Sequence, residues 1–234
     1  MIDARKLLDQ FLGSQVPGVG GSVRDRAGDA VQMAKSNPLA TGAIAAVLLG
    51  TKTGRGLAGN ALTLGGLAAI AGLGYQAYKN YQAGQTPASP SNAPSSNPVL
   101  LPAPSDSGFS TSPETTSNDF ALALVRAMIA AAKADGHVDG TERAHIMDKI
   151  TASGIGSEAE AFIEKELASP TDIDALVAAA RTEEQRVELY TASRLAIEPD
   201  SRAERGYLDL LAGRLGLADA LVDHIEATVS AAKV

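Results

Sequence analysis

Residues 118–143 read NDFALALVRAMIAAAKADGHVDGTER. Phe120, Leu124, Ala127, Met128 and Ala131 recur at three- and four-residue steps, the period of one face of an α-helix. The run then passes into two Asp-Gly pairs, where glycine permits a turn. Asp139, with Glu142 three residues on, makes the reciprocal capping pattern that starts a helix. A helix, an acidic turn and a second helix are therefore expected. No alternating strand pattern competes with them, which sets the fold class of this half of the chain as all-α.

Working towards the C-terminus, the same start pattern recurs at Ser157 with Glu160, Thr182 with Gln185, and Ser201 with Glu204, while Gly154 and Gly216 are natural stops. The spacing predicts helices near 118–134, 140–153, 157–168, 172–181, 183–197, 201–214 and 218–231. About seven short helices make a bundle over 118–234. The stretch AKADGHVDGTERAHI (132–146) also lies over RLAIEPDSRAERGYL (194–208), matching Ala134 to Ala196, Glu142 to Glu204 and Arg143 to Arg205. Two related helix–turn–helix halves are expected.

Working towards the N-terminus, residues 84–117 hold seven of the eleven prolines of the 234-residue chain, with many serines and almost no charge. This composition predicts an extended, disordered linker. Before it, residues 1–83 carry eight Lys or Arg against four Asp or Glu, whereas residues 119–234 carry twelve against twenty-one. The basic part suits an anionic membrane surface. It opens with MIDARKLLDQFLG, whose Ala4, Leu7, Leu8 and Phe11 form one face of a short amphipathic helix; Asp3 and Asp9 break the apolar run that a secretory signal would need.

Two uncharged apolar runs follow, at residues 36–51 and 56–78. A helix needs about 20 mainly apolar residues to cross a bilayer, so the second is long enough to span and the first is marginal. Tyr75, Tyr78 and Tyr81 stand where an interfacial aromatic belt would lie. Ala61, Gly65 and Ala69 place small side chains along one face, the pattern by which membrane helices associate into homo-oligomers. Residues 1–83 are accordingly read as a membrane-anchor region.

What the chain could do chemically is bounded by absences. With no cysteine there is no thiolate catalysis, disulfide or Cys-ligated zinc site. A net-acidic bundle is a poor footprint for nucleic acid, and no P-loop, G-x-S-x-G, H-E-x-x-H or dinucleotide fingerprint occurs. No enzyme is expected. Asp135, His137, Asp139 and Gly140 sit at the first, third, fifth and sixth positions of an EF-hand loop, but the bidentate glutamate would fall at Ile146, so that motif is incomplete. Hard oxygen donors remain at Asp135, Asp139 and Glu142, joined by Asp200 and Glu204 if the two halves bring their turns together, and calcium or magnesium is the cation such a set would take. The competing reading is that Asp139 and Glu142 only cap a helix.

The run LVRAMIAAAKADGHVDGTER (124–143), followed by ELASPTDIDALVAAARTEEQRVELYTASRLAIEPDSRAERGYLDLLAGRLGL (166–217), resembles the YebE-type family of bacterial inner-membrane proteins of unknown function, whose C-terminal domain looks like the TerB fold of tellurite-resistance proteins. The resemblance implies an all-α TerB-like domain on a membrane anchor at the bacterial inner membrane. It implies clustered acids that take a divalent metal and a place in envelope stress or sensing, and it implies no established reaction. The expected function is a membrane-anchored, non-catalytic interaction or sensing module with a protein partner. The alternative is an oligomerising Gly/Ala-rich membrane-helix protein, a pore or envelope-structuring element with the bundle as a regulatory cap.

Overall fold

The computed structural model describes residues 66–87, 103–110, 116–136, 147 and 157–232. Among these residues the chain forms helices and no strand: α1 (Gly66–Gln82), α2 (Asn118–Ala132), α3 (Ser157–Ala168), α4 (Ile173–Ala179), α5 (Glu183–Ala196), α6 (Arg202–Leu215) and α7 (Asp219–Ala232). The helix predicted near 140–153 lies outside the described residues apart from Met147, which is helical and packs on the core.

Local chemistry sets the helix ends. Ser117 accepts from the Phe120 amide to start α2, and Asp172 accepts from Ala175 to start α4. Thr182 accepts from Gln185 to start α5. Ser201 and Glu204 complete a two-way capping box at α6. That helix stops at Gly216, whose φ of 68° is a left-handed conformation only glycine adopts without strain.

The core is organised about α5. A helix that meets water on one side has a polar stripe, but every residue from Val187 to Ala196 is buried, so α5 beyond its first turn is enclosed on all sides. It packs most extensively on α2, which is buried over most of its length, and also on α1, α6 and α7. Helix α4 closes against α2 and α6, and α3 against α2. Fully buried Phe120, Leu124, Met128, Leu189 and Leu211 tie these layers together, each side chain stabilising the fold by roughly 1.5–3 kcal/mol.

Two expectations meet the described packing here. The last part of the anchor region expected over residues 1–83 is α1, which packs against α5 and α7 in the same core, burying Leu67, Ile70, Leu73 and Ala77. Gln76 and Lys79 face outward, so the helix is two-faced, whereas a span is apolar all round. Tyr75 and Tyr78 pack on Phe109, and Tyr81 on His224, in place of an interfacial belt. Ala69, expected at an oligomer face, is buried, while Ala61 and Gly65 lie outside the described residues. No helix among the described residues is long and apolar enough to cross a membrane. The second is the linker expected over residues 84–117. Within 84–117, Ala103, Phe109 and Ser110 are buried against the bundle, so residues 103–110 form a strap laid over α1 and α5.

Candidate functional site

The strap is held at a place the helices prepare for it. At Gly74 of α1 a Cβ atom would lie 3.2 Å from Val187 and 3.3 Å from Phe109, so the missing side chain leaves the room into which the Phe109 ring fits. Tyr75 meets that ring edge-on at 5.8 Å between centroids, and Tyr78 is tilted against it at 5.9 Å. Gly108, at φ 78°, turns the strap where it passes the Glu184 side chain.

Beneath Phe109 lies a polar floor. Glu188 of α5 is wholly buried, and its carboxyl is met at both oxygens by one residue: the Ser110 amide donates to Oε1 at 2.6 Å, and Ser110 Oγ lies 2.9 Å from Oε2. Burial pushes the Glu188 carboxyl up to about 7, against the pull of its two Ser110 hydrogen bonds and with a further push from the Glu184 charge. One turn along, Thr191 Oγ1 is buried without a hydrogen-bond partner, 3.5 Å from where a Gly74 Cβ would stand. A buried acid, an unsatisfied hydroxyl and an aromatic recess thus lie beside the strap, which turns where the Ser107 amide donates to the Pro104 carbonyl at 3.0 Å.

The other buried charge is structural. Arg194 donates through Nε to Glu226 at 2.5 Å, through Nη1 to the Ile197 carbonyl at 2.9 Å and through Nη2 to Ser230 Oγ at 3.2 Å, while the Tyr190 hydroxyl donates to Glu226 at 2.9 Å. Burial and the Glu226 carboxylate raise the Tyr190 hydroxyl well above its ordinary value. A cleft of about 400 Å³ lies elsewhere, between α2, α4 and the end of α3. Its cations are already engaged: Arg126 pairs with Glu166 at 2.9 Å, and Lys133 donates to the carbonyls of Glu166 and Ser169.

The acids singled out in the sequence do not form this site. Asp135 is exposed just beyond α2. Asp139 and Glu142 lie outside the described residues. Glu204 accepts from the Ser201 amide at 2.8 Å in the capping box, and Asp200 is exposed in the preceding turn, where its carbonyl accepts from Arg205. Among the described residues no group of three or more His, Asp or Glu is arranged to hold a metal ion. Glu188 was missed because EEQRVE (183–188) reads as a charged helix start. The available signal was its setting, since VELYTASRLAI (187–197) holds only two charges among small and apolar residues.

Comparison with known proteins adds kinship and no chemistry. A family profile described as "Protein of unknown function (DUF533)" matches residues 34–229. The chain is similar to an "Uncharacterized protein in ampR 5'region" of Yersinia enterocolitica, with 33% identity over 103 residues, 44% of this chain and 74% of that protein. No solved structure matches.

Proposed function

The chain belongs to the DUF533 family of proteins of unknown function, and from that starting point we propose that it is a non-catalytic interaction module, held at the bacterial inner membrane by its N-terminal part. The observation that carries the reading is the strap. A bundle face that takes a turned, Ser-rich segment of the chain around one buried aromatic ring has the groups a peptide receptor would use. The ligand class it fits is a short polar segment that carries a glycine–aromatic–serine core.

Membrane attachment rests on residues 1–65. They hold seven basic against four acidic residues, an opening stretch with an amphipathic sequence pattern, and the apolar run 36–51. The TerB-like reading of the bundle and its place in envelope sensing belong to the same proposal. They are supported by the acidic composition of residues 119–234, by the helices among the described residues of that part, and by the resemblance of residues 124–143 and 166–217.

The test of the receptor reading uses the full chain with Phe109→Asp, which removes the strap's anchor, and a fluorescent peptide of residues 101–112. Saturable binding that is lost on adding Gly74→Leu supports the seat. Absence of binding to the Phe109→Asp chain contradicts it. Flotation of the intact chain with vesicles containing anionic lipid tests attachment, and a chain left at the bottom of the gradient contradicts that part.

A further inference from the structure

We infer that the strap Ala103–Ser110 is a proton-linked latch: it stays closed over the α1–α5 seat while Glu188 carries a proton, and it opens as Glu188 gives that proton to water. The inference rests on the seat described above and adds its regulation.

The geometry supplies the coupling. With Glu188 neutral, Oε1 accepts the Ser110 amide and the carboxyl O–H on Oε2 donates to Ser110 Oγ, so every polar atom of the contact is satisfied without charge. With Glu188 ionised, both Ser110 donors still point at it, but a full negative charge sits at 0% exposure. Burying such a charge with two neutral donors and no cation against it is unfavourable.

The surrounding groups do not relieve it. On its own helix Glu184 adds like charge, and Glu183 is hydrogen-bonded by Tyr78 of α1. Tyr75 of α1 packs on Phe109, and Lys79 of that helix lies over the Tyr75 ring at 6.0 Å. The strap brings Asp106, exposed on its outer side. On α2, Asp119, Arg126 and Lys133 line the separate cleft, and on the α7 side Glu226 is held by Arg194 and Tyr190, while His224 meets the Gln85 carbonyl. On α6, Tyr207 bonds the Ala127 carbonyl.

Opening the strap removes Ser110 from Glu188, and water can then hydrate the carboxylate. The covered carboxyl titrates at about 7 and its ordinary value is 4.5. The closed form therefore binds the proton more tightly, and the closed-to-open ratio falls as pH rises from about 4.5 to about 7, by on the order of 100-fold in all, and is level above that.

The absence of cysteine from the chain makes the test direct. Spin labels are placed at Ser105→Cys on the strap and Arg186→Cys on α5, both exposed positions, in the full-length protein. Their distance distribution is measured at pH 5 and pH 8.5, with circular dichroism confirming the helices at both. The expected result is one narrow distance at pH 5 that broadens and lengthens at pH 8.5, with Glu188→Gln narrow at both. A narrow distance in wild type at both pH values overturns the latch and leaves the seat standing. A broad distance at both overturns the seat as well. Broadening at pH 8.5 that persists in Glu188→Gln also overturns the latch. If Glu188→Gln does not fold, the wild-type series is read beside Ser110→Ala, which removes one bond to the carboxyl and is expected to open the strap at lower pH; an unchanged opening pH counts against the latch.

Discussion

Ser110 and Glu188, 78 residues apart, meet through two hydrogen bonds that bring the middle of a Pro/Ser-rich stretch onto the central helix of the bundle. Both bonds are buried. The contact joins a segment whose composition favours extension to a carboxyl that water does not reach, so it governs both the stability of the strap and its response to pH.

Glu188→Gln is predicted to remove a pH-dependent loss of stability. The covered carboxyl titrates at about 7, above its ordinary 4.5, so the folded state holds the extra proton. Wild-type stability relative to the variant therefore falls as pH rises from about 4.5 to about 7, and the gap is constant above. A shift of this size corresponds to about 3 kcal/mol as an upper bound. Urea unfolding of both proteins at pH 4.5, 6 and 8 measures it, and a gap that does not change with pH contradicts the assignment.

Gly74→Val is predicted to displace Phe109. Its Cβ alone would press on Val187 and Phe109 at 3.2 and 3.3 Å, and the branched side chain adds two methyl groups in the same place. Overpacking of this kind costs about 1–3 kcal/mol. The strap is the movable partner, so proteolytic cleavage between residues 103 and 110 should rise several-fold while the helical signal is kept.

Arg194→Met is predicted to destabilise the bundle by about 1–3 kcal/mol, because Glu226 loses its cation and keeps the Tyr190 hydroxyl, and the Ile197 carbonyl loses the Arg194 hydrogen bond. Replacing Glu226 with Gln in the same protein should recover part of the loss. Thermal unfolding of the single and double variants checks both statements.

Gly206→Ala and Gly213→Ala are predicted to stabilise α6 by about 0.5–1 kcal/mol each, since both positions are helical, exposed and open to a new Cβ. Gly216→Ala should have the opposite sign, because φ at that position is 68°. A paired melting-temperature comparison of the three variants tests the difference in sign.

Helix positions were readable because their signals are local. The Ser201–Glu204 box and Gly216 marked the two ends of α6 within a residue or so, and the Phe120–Ala131 period marked α2. The role of α1 was not readable, because a Gly/Ala-rich run with three tyrosines is equally apolar whether lipid or protein will cover it; only Gln76 and Lys79 on one face hinted at a packed helix. The strap was hidden for a different reason. Phe109 is one aromatic residue among prolines and serines, and its recess is made by Gly74 and Val187, which come together only in the folded bundle. Among the sequence-derived acids, Glu204 serves its own helix, while Asp139 and Glu142 fall outside the described residues.

Amide hydrogen exchange at Ser110 in the full-length protein at pH 5 tests the central claim most directly. The amide donates to Glu188 at 2.6 Å in a buried setting, so exchange slowed by several orders of magnitude relative to an unstructured peptide is predicted, with protection lost in Phe109→Asp. Exchange at the unprotected rate in the wild-type protein would mean that the strap is not seated, and would contradict both the receptor reading and the latch built on it.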